Sequence, residues 1–237
     1  SVSFDDSDWE TVGIPHSAST PYWMELEVYE GDAWYRKTFD AQADWISRRV
    51  FVEFEGAFQH AWVTLNGQLL GEHKGGYTGF CYDMTSALNC GGSNVLAVRV
   101  RNGWDATIAP RAGDSIFPNG LNRNVRFIIT SDQHIDWCGQ FISTPEVSEK
   151  HASIRVQTDI KNEATADSDC TILVEVLDKN GQVVTQSERP VSLPAGEVVP
   201  VTQELPEIAN PNLWSPDTPT LYTVHTRLSN DKGLLDE

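Results

Sequence analysis

Val50-Phe51-Val52-Glu53-Phe54 and Val95-Leu96-Ala97-Val98-Arg99-Val100 decide how this chain is read. In both, apolar residues alternate with others or nearly fill the run, which is the pattern of strands inside a sandwich of two sheets. Outward from these, further short runs rich in β-branched and aromatic residues recur at Trp34 to Phe39, Ala61 to Leu65 and Val125 to Ile129, with turn residues between them. Asn66-Gly67 and Asn180-Gly181 sit between such runs and suit type I′ hairpin turns, because both residue types tolerate positive φ. Asn102-Gly103 and Asn119-Gly120 add further punctuation. Helix is scarce: Asp83-Met84-Thr85-Ser86-Ala87-Leu88 is long enough for a single turn, with Asp83 placed to cap it. The predicted class is all-β.

The texture changes at Thr144-Pro145-Glu146-Val147-Ser148. Ile154 to Ile160 and Thr171 to Leu177 alternate, and Lys179-Asn180-Gly181-Gln182 turns into another strand, as in an immunoglobulin-sized sandwich. A chain of 237 residues holds one large or two small domains. Two are predicted here, residues 1–145 and 146–237. Leu221 to Leu228 reads as a strand, Asn230-Asp231-Lys232-Gly233 as a turn, and Leu234-Leu235 as the start of a partner strand. A chain that starts at Ser1 without Met and stops inside a hairpin reads as a piece of a longer protein.

Seventeen Lys and Arg against 34 Asp and Glu give a net charge of −17. That field repels phosphate backbones and anionic headgroups, so nucleic acid and membrane are not expected partners, whereas a neutral sugar is compatible with it. No apolar run approaches the roughly 18 residues that span a bilayer, and SVSFDDSDWE lacks the basic-then-apolar order of a signal peptide. No compartment is legible; a periplasmic or secreted location is preferred to a cytoplasmic one. Cys81, Cys90, Cys138 and Cys170 lack zinc-site spacing and are read mostly as buried thiols, with Cys81 and Cys90 near enough in sequence for a bridge across a loop. Neither metal nor cofactor is expected.

Trp34-Tyr35-Arg36-Lys37-Thr38-Phe39, Phe54-Glu55-Gly56 and Ala61-Trp62-Val63-Thr64-Leu65-Asn66-Gly67 follow one another along the chain. After them come Gly71-Glu72-His73-Lys74-Gly75-Gly76-Tyr77, Phe80 and Asp83-Met84-Thr85, then Gly120-Leu121-Asn122-Arg123-Asn124-Val125 and Asn210-Pro211-Asn212-Leu213-Trp214-Ser215-Pro216-Asp217. In this order they resemble glycoside hydrolase family 2, β-galactosidase-like members in particular. The resemblance implies a jelly-roll, galactose-binding-like sugar-binding domain and an immunoglobulin-like β-sandwich, followed in the family by a catalytic (β/α)₈ barrel. It also implies retaining hydrolysis of β-linked glycosides by two barrel glutamates, with a carbohydrate and the chain's own barrel as partners. No catalytic residue is assigned here, and this portion alone is expected to be inactive. β-Glucuronidases and β-mannosidases share these two domains, and a free-standing carbohydrate-binding module is the reading from another class.

The resemblance singles out Asp114, in Arg111-Ala112-Gly113-Asp114-Ser115-Ile116-Phe117, as a substrate-binding residue reaching the sugar from a jelly-roll loop. A carboxylate suits that role because it accepts charge-assisted hydrogen bonds from sugar hydroxyls. The competing reading is a turn aspartate bonded to its own backbone. Arg123, at the start of a strand, is expected to make a structural salt bridge or carbonyl bonds. His73 has no partner at metal-ligand spacing, and Gly75-Gly76 after it suit a bulge or close packing. Trp34, Trp62 and Trp214 are expected in the core, and Trp23 and Trp104 on the surface.

Overall fold

The computed structural model describes residues 2–19, 29–108 and 119–237. Among them there are fourteen strands, short 3-10 turns and no α-helix, and the chain divides into two compact units, Ser1–Ile129 and Thr130–Glu237. The all-β class and the two sandwiches are as the sequence predicts.

The first sandwich is built from β1 (Asp32–Asp40), β2 (Arg49–Phe54), β3 (His60–Leu65), β4 (Gln68–Lys74), β5 (Phe80–Asp83), β6 (Ser93–Arg101) and β7 (Val125–Thr130). One sheet runs β1-β6-β3-β4 and the other β5-β2-β7. Strand alternation decides which side chains lie between them. Val50, Val52 and Phe54 from β2 meet Ala61, Val63 and Leu65 from β3 and Leu96, Val98 and Val100 from β6. Phe80 lies parallel to Phe54, with ring centroids 4.7 Å apart.

The same parity corrects the expectation for the tryptophans. Trp62 stands between inward-pointing Ala61 and Val63, so it faces outward, half-buried under the His60 ring at 3.6 Å and the Arg99 guanidinium at 4.5 Å. Arg99 is itself held by Asp32 at 2.8 Å. Trp34 lies opposite Arg99 in the register and is exposed. Trp214 is exposed as well, so none of the three is core.

Turns follow their sequence signals in part. Asn66 (φ 51°) and Gly67 (φ 84°) both take the left-handed region, as a type I′ turn demands. Asn66 then links hairpin and core edge, donating to Ala87 O and to Asn94 Oδ1 and accepting from Val95 N–H. At Asn180-Gly181 only Gly181 has positive φ. There Asp178 Oδ1 accepts from Asn180 N–H and Gln182 N–H, so the expected I′ turn is replaced by a longer loop organised by Asp178. Asp83 Oδ1 accepts from Thr85 N–H at 2.8 Å and starts the 3-10 turn Thr85–Ala87.

The second sandwich is built from β8 (Gln133–Ser143), β9 (His151–Asn162), β10 (Ser168–Leu177), β11 (Val183–Leu193), β12 (Val198–Ala209), β13 (Thr223–Asn230) and β14 (Gly233–Asp236). Its sheets run β12-β9-β8 and β11-β10-β13-β14. Ile154, Val156 and Ile160 face Ile172, Val174 and Val176 across its core. Pro190, Pro200 and Pro206 lie in β11 and β12, both edge strands, where a missing N–H breaks no ladder. The division at Ile129 and Thr130 falls earlier than residue 145, because β8 pairs with β9.

None of the four cysteines forms a disulfide, so the bridge between Cys81 and Cys90 is not made. Cys170 is buried, and burial pushes its thiol up to about 11. Cys81 and Cys90 are half-buried and Cys138, in the irregularity of β8 with φ 57°, is exposed, so of the four only Cys170 matches the expectation of mostly buried thiols.

The irregular stretch of β8 is clasped by Asp236, whose Oδ2 accepts from Ile135 N–H at 2.8 Å. Burial holds the Asp236 carboxyl above its ordinary value of 3.8, against the opposing pull of the Ile135 and Glu237 amides. A raised folded-state pKa disfavours the ionised native form. The stability it contributes is complete below 3.8 and is lost as pH rises through the raised value. Denaturant unfolding of wild type and Asp236→Asn between about pH 3 and pH 7 checks this. The wild-type advantage over the variant should shrink as pH rises, and a pH-independent difference would contradict it.

Candidate functional site

Asp114 lies outside the described residues, as does Trp23. What the structure describes is the frame from which residues 109–118 depart and to which they return.

Departure is fixed by Asn102, just past β6. Its buried amide accepts from Gly31 N–H at 2.8 Å and donates to Tyr29 O at 2.9 Å. Gln59 is also buried; its Nε2 donates to Gly103 O, and its backbone N–H to Arg101 O. Trp104 N–H donates to Glu30 Oε1 at 2.8 Å, which leaves the indole 69 % exposed, as expected for this residue.

Return is fixed by Asn119 and Gly120. Asn119 is fully buried and its Nδ2 donates to Gly31 O at 3.2 Å. Asn102 and Asn119 are thus tied by their carboxamides to the same glycine. Asn119 O accepts from Ala18 N–H, Leu121 O accepts from His16 N–H, and Gly120 exchanges both backbone bonds with Phe58. Gly120 has φ 128°, and a Cβ there would come within 2.1 Å of the Tyr35 hydroxyl, so no other residue fits. Tyr35 in turn bonds His16 Nδ1 at 2.8 Å.

Beside this frame, His73 Nε2 pairs with Thr78 Oγ1 at 2.9 Å, and its ring stacks on Phe80 at 4.3 Å. Desolvation lowers the His73 pKa, consistent with a neutral packing histidine. Gly75 takes φ 138°, and a Cβ on Gly76 would strike the buried Phe58 ring at 2.0 Å, so the pair serves turn and close packing. Arg123 departs from expectation. Its aliphatic stem lies over Gly56, its head is exposed, and among the described residues no salt bridge or carbonyl bond holds it.

The buried carboxamides carry unused capacity. Asn119 Oδ1 and Asn122 Oδ1 are buried acceptors with no hydrogen-bond partner among the described residues. Reasoning from sequence missed Asn102, Asn119 and Gln59. The available signal was the pair of Asn-Gly dipeptides flanking Asp114, which punctuation alone did not reveal as the two ends of one clasp.

With this geometry in view, similarity to known proteins becomes informative. Residues 7–131 match the sugar binding domain of glycosyl hydrolases family 2, and residues 133–237 match a second domain of the same family. The chain belongs to glycosyl hydrolase family 2. It is similar to a β-galactosidase of Bacteroides ovatus, BoGH2A, with 31 % identity over 98 % of this chain and 28 % of that protein. It is similar to a β-glucuronidase of Formosa agariphila, with 29 % identity over 99 % of this chain and 26 % of that protein. Among solved structures it resembles a Bacteroides uniformis β-glucuronidase, with a TM-score of 0.91, 33 % identity, and coverage of 99 % of this chain and 29 % of that one. The family 2 chain therefore spans well under a third of the length of these relatives.

Proposed function

We propose that this chain is the non-catalytic N-terminal portion of a retaining β-galactosidase, supporting a catalytic barrel and lending the Asp114 loop to its substrate pocket. The observation that carries the reading is the match to a β-galactosidase over 98 % of this chain but only 28 % of that protein. The hydrolytic chemistry then belongs to the remaining length. In the retaining mechanism two carboxyl groups about 5–5.5 Å apart serve as acid/base and nucleophile. The first sandwich contributes the frame: Asn102 and Asn119, both bonded to Gly31, fix the chain on either side of the segment that carries Asp114.

A second reading, β-glucuronidase, is favoured by the 33 % identity and TM-score of 0.91 to the Bacteroides uniformis enzyme. The longer natural protein, assayed on chromogenic β-galactoside, β-glucuronide and β-mannoside, decides between them. Preferred turnover of the galactoside is expected; preference for the glucuronide moves the assignment to the second reading. Residues 1–237 alone should hydrolyse none of the three, and should show no millimolar sugar affinity in a titration, as a free-standing binding module would.

Asp114→Asn in the longer protein should lower kcat/KM by about 10- to 100-fold, the cost of losing a charge-assisted hydrogen bond to the sugar. The protein's thermal midpoint should be unchanged. A kcat/KM within twofold of wild type would leave Asp114 as a turn residue.

A further inference from the structure

The loop from residue 210 to 222, between β12 and β13, concentrates exposed apolar side chains. Leu213 is 39 % exposed, Trp214 59 % and Leu221 70 %. Single exposed apolar residues are ordinary on a monomer, but a concentration of them in one loop marks an interaction surface.

This loop is held in shape from within. Ser215 and Thr218 exchange backbone hydrogen bonds at 3.0 and 3.1 Å, and Ser215 Oγ accepts from Thr218 N–H. Tyr222 Oη accepts from Asn212 N–H at 2.8 Å, and Asn210 N–H donates to Lys150 O. A cavity of about 400 Å³ opens against it, lined by Glu149, Pro211, Asn212, Leu213, Thr218 and Thr220. A preformed loop beside a cavity loses little conformational entropy on docking. The most exposed apolar groups, Trp214 and Leu221, lie outside the residues that line the cavity, so it is the loop rather than the cavity that offers the apolar surface.

We propose that this loop is the docking surface for the polypeptide that follows Glu237 in the natural protein, which covers Trp214 and Leu221 with apolar side chains. The inference rests on the functional reading above, in which the matched region is 26–29 % of the relatives' length and the remaining length belongs to the same polypeptide.

Hydroxyl-radical footprinting, read by mass spectrometry at Trp214 and Leu221, tests it in residues 1–237 and in the longer natural protein. Oxidation of both should be about fivefold or more slower in the longer protein. The double variant Trp214→Ser, Leu221→Ser should leave the thermal midpoint of residues 1–237 in place and lower that of the longer protein by about 3–8 °C. Equal oxidation rates in a longer protein that hydrolyses a glycoside would overturn the docking surface alone. Protection in a longer protein that hydrolyses no glycoside would keep the docking surface and remove the glycosidase reading.

Discussion

Phe54→Ala should lower the unfolding free energy of the first sandwich by about 4 kcal/mol, within the range for truncating a fully buried phenylalanine. Phe54 is fully buried at the end of β2, where its ring lies nearly parallel to Phe80, with an interplanar angle of 9°. Both sheets contribute to the core around it, and close packing limits how far its neighbours can move into the cavity left behind. Phe54→Leu should cost appreciably less, because most of the volume remains. Urea denaturation followed by near-ultraviolet circular dichroism would check both variants. A loss below about 1.5 kcal/mol for alanine would show that the two sheets close over the vacancy.

Asn162→Leu should cost the second sandwich a comparable amount, about 4 kcal/mol, although leucine is the more apolar side chain. Asn162 is fully buried at the end of β9. Its Nδ2 donates to Ala166 O and Leu193 O, and its Oδ1 accepts from Ala164 N–H and Gln133 Nε2. Leucine strands two carbonyls and two donors at once, and each buried orphan costs about 1–3 kcal/mol. Asn162→Asp should be no milder at neutral pH, since it sets a carboxylate against the same two carbonyls. A Leu variant as stable as wild type would mean that water replaces the carboxamide.

These two residues also mark what a sequence conveys. Phe54 sits in an alternating run whose parity points it inward, and β2, β3 and β6 were legible for that reason. Asn66-Gly67 and Asp83 were legible because their local chemistry admits few conformations. Trp34, Trp62 and Trp214 were misplaced by treating hydrophobic size as a burial signal where strand parity, or a loop position, ruled. The start of the second sandwich was hidden because the irregularity around Cys138 interrupts the alternation of β8. Asn180-Gly181 misled because Asp178 competes for the turn's backbone donors. Asn102 and Asn119 act through partners far away in sequence, as does Asn162 through Gln133 and Leu193, and no local pattern encodes a distant carbonyl.

The clasp on Gly31 has a consequence for how such a protein diversifies. Asn102 and Asn119 both bond Gly31, so two positions seventeen residues apart along the chain are held at one point of the sandwich. Lengthening an insert closed in this way is cheap: doubling its length adds only about 0.6 kcal/mol of closure entropy. Insertions and deletions between the two asparagines are therefore expected to cost the sandwich little in closure entropy, provided that Gly31 and both carboxamides are kept.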